Sequence, residues 1–106
     1  MQRHEKALQY ALQRLQNDYS EYVCSIYLYG SFSRKEHKYN SDVDLFVCVQ
    51  ESTPAKIIAR MRSAVISDDY TLPEVELKVS KSGLYSTSRQ FNKNLQREAL
   101  LLWEKQ

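Results

Sequence analysis

The stretch "LYGSFSRKEHKYNSDVDLFV", Leu28 to Val47, joins two apolar runs through a polar connection. The first run closes on Gly30, one of only 2 glycines in the chain, followed by Ser31. The second opens with Asp42 and Asp44, set directly against an apolar strand, where charge is costly to bury. The upstream run, "YVCSIYLYG" from Tyr22 to Gly30, is rich in β-branched and aromatic residues and predicts a strand. The downstream run, "SDVDLFVCVQ", predicts a second strand with Val43, Leu45, Val47 and Val49 on one face. The connection "SFSRKEHKYN" has room for one or two helical turns and a loop. It is short for a parallel crossover, so the pair is expected to be antiparallel.

Upstream, Leu8, Ala11, Leu12, Leu15 and Tyr19 recur at helical spacing and predict a helix from about His4 to Tyr19. Downstream, Thr53 before Pro54 reads as an N-cap followed by proline at the first helical position. Ile57, Ile58, Met61, Ala64 and Val65 carry that helix to about Ile66. "EVELKVS" alternates, with Val75, Leu77 and Val79 on one face and Glu74, Glu76 and Lys78 on the other, and predicts a third strand. Gly83 breaks it. From about Thr87, Phe91, Leu95, Ala99, Leu102 and Trp103 mark the apolar side of a last helix. The order is helix, strand, short connection, strand, helix, strand, helix. It implies an α/β (α+β) fold: a small mixed sheet of three strands with a helical layer, over residues 1–106 as a single domain.

Composition fits that size. The chain has 106 residues, 42% hydrophobic and 26% charged, as in a soluble globular domain. A net charge of +2 gives little support for a nucleic-acid partner. The N-terminus lacks an apolar leader and no run is long enough to span a membrane, so a cytoplasmic location is expected. Cys24 and Cys48 lie in apolar strand-like runs without metal spacing and read as buried, reduced thiols. His4 and His37 read as surface residues. Lys56, Arg60 and Arg62 read as a solvated helix face, and Lys78 as structural or solvated.

Asp42 and Asp44, one residue apart on a strand, share a face at roughly 7 Å along the chain. Their mutual repulsion is relieved by a divalent cation, and carboxylate oxygens suit Mg²⁺. Gly30 allows close backbone approach, and N–H groups at a helix start can hold phosphate, with the Ser31 hydroxyl as a further donor. One end of the sheet would then carry an anion cradle beside a cation site, which suits a metal-bound nucleoside triphosphate. Glu76 is the candidate third acid of a two-metal site, fixed within its strand by Val75 and Leu77. Glu74, nearer the strand's start, reads as solvated.

These residues also carry a resemblance. "GSFSRKEHKYNSDVD" is similar to the GS-x10-DxD signature of the DNA polymerase β-like nucleotidyltransferases, and most resembles their small stand-alone members, the minimal nucleotidyltransferases. "VELKV" resembles the family's "vDLKV", with Glu76 in the acid's place, and "LQREALLLWE" resembles its final helix. Two departures stand out. Glu76 replaces the usual aspartate, and Ser33-Arg34-Lys35 stands where the family commonly has Ala-Arg-Gly.

The resemblance implies a polymerase β palm-like fold and transfer of a nucleoside monophosphate, AMP from ATP or its counterpart from another NTP, to a hydroxyl with release of pyrophosphate. It implies two Mg²⁺ ions at Asp42, Asp44 and Glu76, the acids of catalysis. It places the β,γ-phosphates at Gly30 and Ser31, with Arg34 in contact with phosphate. It further implies a protein partner, a small helical HEPN-type toxin that this chain adenylylates as antitoxin. The alternative is a non-catalytic member that neutralises a partner by binding alone. The two departures permit it, and the retained DxD argues against it.

Overall fold

The computed structural model describes residues 2–81 and 99–105. Helix α1, Arg3–Asp18, buries His4, Ala7, Ala11 and Leu15 along one stripe. The two alanines let the helix lie close to the sheet, and Leu8, Leu12 and Tyr19 flank the contact. Strand β1, Val23–Tyr29, runs into a single helical turn, α2, Gly30–Ser33. Strand β2, Val43–Val49, returns antiparallel to β1, as the short connection predicts. Helix α3, Ala55–Ala64, crosses over to strand β3, Val75–Lys81, which pairs parallel to β2.

The period-two reading holds in β2 and β3, while in β1 a register shift between Val23 and Ser25 brings Val23 onto the same face as Ile26 and Leu28. Val23, Ile26 and Leu28 of β1, Val43, Leu45, Val47 and Val49 of β2, and Val75 and Leu77 of β3 face the helices and form the core with Met61 of α3 and its C-cap residue Val65. The residues between them, including Asp44, Glu76 and Lys78, take the other face. Burying the β2 valines and leucine contributes roughly 1.5–3 kcal/mol each. That drive fixes the register and so fixes which face the acids occupy.

The C-terminal reading is overturned in part. Residues 87–98 of the expected last helix lie outside the described residues, but Leu100–Glu104 is a strand, β4, antiparallel to β1. The sheet therefore has four strands in the order β3-β2-β1-β4. A helix there would leave the far edge of β1 without backbone partners, whereas β4 satisfies them. The register shift between Ile26 and Tyr27 makes Leu102 an extra residue, so both Leu102 and Trp103 pack on the core. That doubled contact mimics helical spacing.

Three smaller expectations change. The N-cap of α3 is Pro54, not Thr53, whose buried hydroxyl has no hydrogen-bond partner among the described residues. His4 is 4% exposed rather than a surface residue. Arg62 is not merely solvated, since its Nε donates to the Leu77 carbonyl at 3.3 Å and ties α3 to β3. Cys24 and Cys48 are free thiols, as expected, but only Cys48 is fully buried. Among the described residues no helix is long and apolar enough to cross a membrane.

Candidate active site

The site is assembled where β1 ends and β2 and β3 begin, on the sheet face opposite α1 and α3. Register puts Tyr29 opposite Asp44, and Asp44 opposite Glu76, so the three side chains form a row across the sheet. Gly30 begins α2 at φ +80°, a left-handed conformation that side chains disfavour. Any Cβ at Gly30 would overlap the Asp44 carboxylate. The glycine is therefore needed twice, for its dihedral angle and for the close passage of Asp44. This contact physically links the GS and DxD halves of the sequence signature.

Of the expected site residues, Gly30, Asp44 and Glu76 are in direct proximity. Ser31 follows Gly30 in α2 and is half-buried. Asp42 is exposed and lies just before β2, near enough for its charge to act on Asp44. Arg34 is exposed, with its Nε 3.1 Å from Glu36 Oε2. Among the described residues no three acid, histidine or cysteine side chains stand ready-made around a metal position. What converges is the Asp44–Glu76 pair.

That pair is electrostatically uneasy. Burial first, then the Glu76 and Asp42 charges and a carboxyl–carboxyl hydrogen bond to Glu76, push the Asp44 carboxyl up to about 6, against a smaller opposing pull from Lys78. Burial, followed by the Asp44 and Glu76 charges, holds the Tyr29 phenol well above its usual range. Two carboxyl groups held opposite each other on neighbouring strands are all-oxygen donors that fit a hard divalent cation, which relieves their repulsion.

Tyr29 and Lys78 are neighbours of the acids that the sequence reading did not assign to the site. The Lys78 ammonium lies 6.0 Å from the Tyr29 ring centroid. The signal was available: Tyr29 directly precedes Gly30, and Lys78 shares the strand parity of Glu76.

The missing second glycine has a structural counterpart. Lys35, which stands in its place, has φ +59°. The left-handed turn is thus kept without glycine, at a strain of roughly 1–2 kcal/mol. Lys35→Gly should raise stability by about 0.5 kcal/mol, the strain relief being partly offset by the greater freedom of glycine in the unfolded chain. Urea unfolding checks this as a higher midpoint with an unchanged slope. A lower midpoint would mean that Lys35 makes a stabilising contact that outweighs its backbone strain.

The family model described as "Polymerase beta, Nucleotidyltransferase" matches residues 11–106. No curated protein matches. Solved structures with a similar fold include a presumed nucleotidyltransferase from Sulfolobus solfataricus, at 16% identity and TM-score 0.65, covering 97% of this chain and 82% of that one. A toxin–antitoxin with AMP-PNP is similar at 22% identity and TM-score 0.68, over 96% of this chain and 74% of that one. A mutant of the toxin–antitoxin MntA-HpeT is similar at 18% identity and TM-score 0.67, over 100% of this chain and 76% of that one.

Proposed function

The chain belongs to the polymerase β nucleotidyltransferase family, and on that premise we propose that it transfers AMP from ATP to a hydroxyl of a protein partner, in a Mg²⁺-dependent reaction. The acceptor hydroxyl gives its proton to solvent water as its oxygen bonds to the α-phosphorus, the bond to the bridging oxygen of the β-phosphate breaks, and pyrophosphate leaves. Asp42, Asp44 and Glu76 would hold the metal ions, with Glu76 serving activation of the acceptor. Bound Mg²⁺ would neutralise charge on the triphosphate and acidify the acceptor hydroxyl. The backbone at Gly30 and the Ser31 hydroxyl receive the β,γ-phosphates, and Arg34 adds a phosphate contact. The observation that carries this reading is the Asp44–Glu76 pair, two acids held across neighbouring strands at a cost to the metal-free fold.

The partner is proposed to be a small helical HEPN-type toxin, with this chain as antitoxin. Two of the similar structures are toxin–antitoxins, one of them with AMP-PNP, an analogue of ATP. A cytoplasmic setting, which supplies ATP and keeps thiols reduced, suits the free Cys24 and Cys48.

The test is transfer of label from α-³²P-ATP to a co-purified protein, alongside thermal unfolding with each NTP with and without Mg²⁺. Mg²⁺–ATP at ten times its dissociation constant should raise the midpoint by about 7 °C. Label should appear on the partner only with the metal present. A stable complex with the partner, with neither label nor thermal shift at millimolar nucleotide, would establish the non-catalytic alternative.

A further inference from the structure

The first turn of α1 reaches to the two connections that lead into the acid-bearing strands. Arg3 donates from Nε to the Thr71 carbonyl and from Nη1 to the Tyr39 carbonyl, the latter at 3.0 Å. Its guanidinium carbon also lies 3.8 Å from the Tyr39 ring centroid. His4 Nε2 is 2.8 Å from the Ser41 carbonyl. A carbonyl only accepts, so Nε2 carries the proton. The His4 ring packs on His37, at 4.3 Å between centroids, and on Phe32 of α2, at 5.4 Å.

Asp42 is held on both sides by this arrangement. Before it, the Ser41 carbonyl is fixed by His4, and the turn is closed by Ser41 N–H to the Lys38 carbonyl at 3.0 Å and Lys38 N–H to Ser41 Oγ at 2.9 Å. After it, the Val43 N–H donates to the Glu74 carbonyl at 2.8 Å. The Asp42 side chain is exposed, so its position follows from its backbone rather than from packing. Thr71, held by the same Arg3, lies on the run entering β3 and Glu76. An apolar residue would complete the α1 stripe of Ala7, Ala11 and Leu15 more simply than a buried imidazole that must find a partner.

We infer that Arg3 and His4 are positioning residues, which set where Asp42 stands against the Asp44–Glu76 pair by gripping the Tyr39, Ser41 and Thr71 carbonyls. The inference rests on the proposed metal-dependent transfer. Partners that orient metal-binding side chains are commonly worth 10–100-fold in affinity.

The experiment is Mn²⁺ titration of the full chain in the presence of ATP, followed by electron paramagnetic resonance. Arg3→Ala and His4→Leu should each weaken Mn²⁺ binding by about 10-fold. Arg3 is partly exposed and leucine continues the apolar stripe, so both variants should keep the fold. His4→Gln, which can present a donor at nearly the same reach, should restore most of the affinity. In an Asp42→Asn background His4→Leu should not weaken binding further, because His4 acts through the Ser41 carbonyl beside Asp42. A general structural defect would instead add to the Asp42→Asn loss. If Asp42→Asn weakens Mn²⁺ binding while Arg3→Ala and His4→Leu bind as wild type, the positioning role is overturned and the metal site stands. If Asp42→Asn itself binds as wild type, the metal reading falls and the positioning role with it.

Discussion

Asp44→Asn is expected to stabilise the metal-free protein while lowering nucleotidyl transfer by about 10³-fold or more, a rise of roughly 4 kcal/mol in the barrier. The two effects have one cause. Asp44 faces Glu76 across the parallel β2–β3 pair and is pushed up to about 6 from 3.8. For a carboxyl raised in the folded state, the favourable contribution is full below pH 3.8, where both states are protonated. It is lost as pH rises through about 6, where ionisation is harder in the folded state than in the unfolded one. At neutral pH the wild type therefore carries a penalty. Solvent reaches this half-buried site, and screening reduces the penalty to about 1 kcal/mol, or roughly 5 °C in midpoint. Asparagine removes the charge and can still donate a hydrogen bond to Glu76. The stability gain should be clear at pH 7.5 and absent near pH 4. Added Mg²⁺ should raise the wild-type midpoint and leave the variant unmoved. A variant less stable than wild type at pH 7.5 without metal would show that the acids are not in conflict, and retained transfer would remove Asp44 from the chemistry.

Much of this site was legible before the fold was known, because its parts lie on strands whose alternation is plain. Val43, Leu45, Val47 and Val49 had to face one way, so Asp44 had to face the other. The same argument on Val75 and Leu77 placed Glu76. What alternation does not contain is register between strands: that Glu76 stands opposite Asp44 depends on how α3 returns the chain. The reading of the C-terminus failed for a different reason. "LLLW" is apolar at every position, so it matches a helix face and a buried strand equally, and the open edge of β1 decided between them. His4 was within reach, since it precedes Ala7, Ala11 and Leu15 on the same stripe. Its polarity outweighed its position. Arg3 left no such trace, because its hydrogen bonds run to backbone carbonyls, which have no sequence signature.

Gly30→Ala is expected to damage stability and the site together, in a way that separates the two reasons for glycine at this position. Alanine at φ +80° costs roughly 1–2 kcal/mol in backbone strain alone. Its Cβ also overlaps the Asp44 carboxylate, with the Asp44 Cγ only 3.1 Å away, so Asp44 must swing aside. The sequence alone suggests a phosphate cradle, in which a side chain at Gly30 would hinder nucleotide more than metal. The structure changes that expectation: the added methyl meets a proposed metal-binding acid first, so Mn²⁺ affinity should fall along with ATP affinity. The total loss of stability should be about 2–3 kcal/mol, since displacement of Asp44 adds to the strain. In an Asp44→Ala background the carboxylate is gone, and Gly30→Ala should then cost only the backbone strain, about 1 kcal/mol less than in the wild type. Urea unfolding of the four proteins in that cycle measures the difference. Equal costs in both backgrounds would show that the dihedral angle alone requires glycine here. Normal Mn²⁺ binding by Gly30→Ala would show that Asp44 yields without loss, and the link between the two halves of the signature would then be conformational rather than a contact.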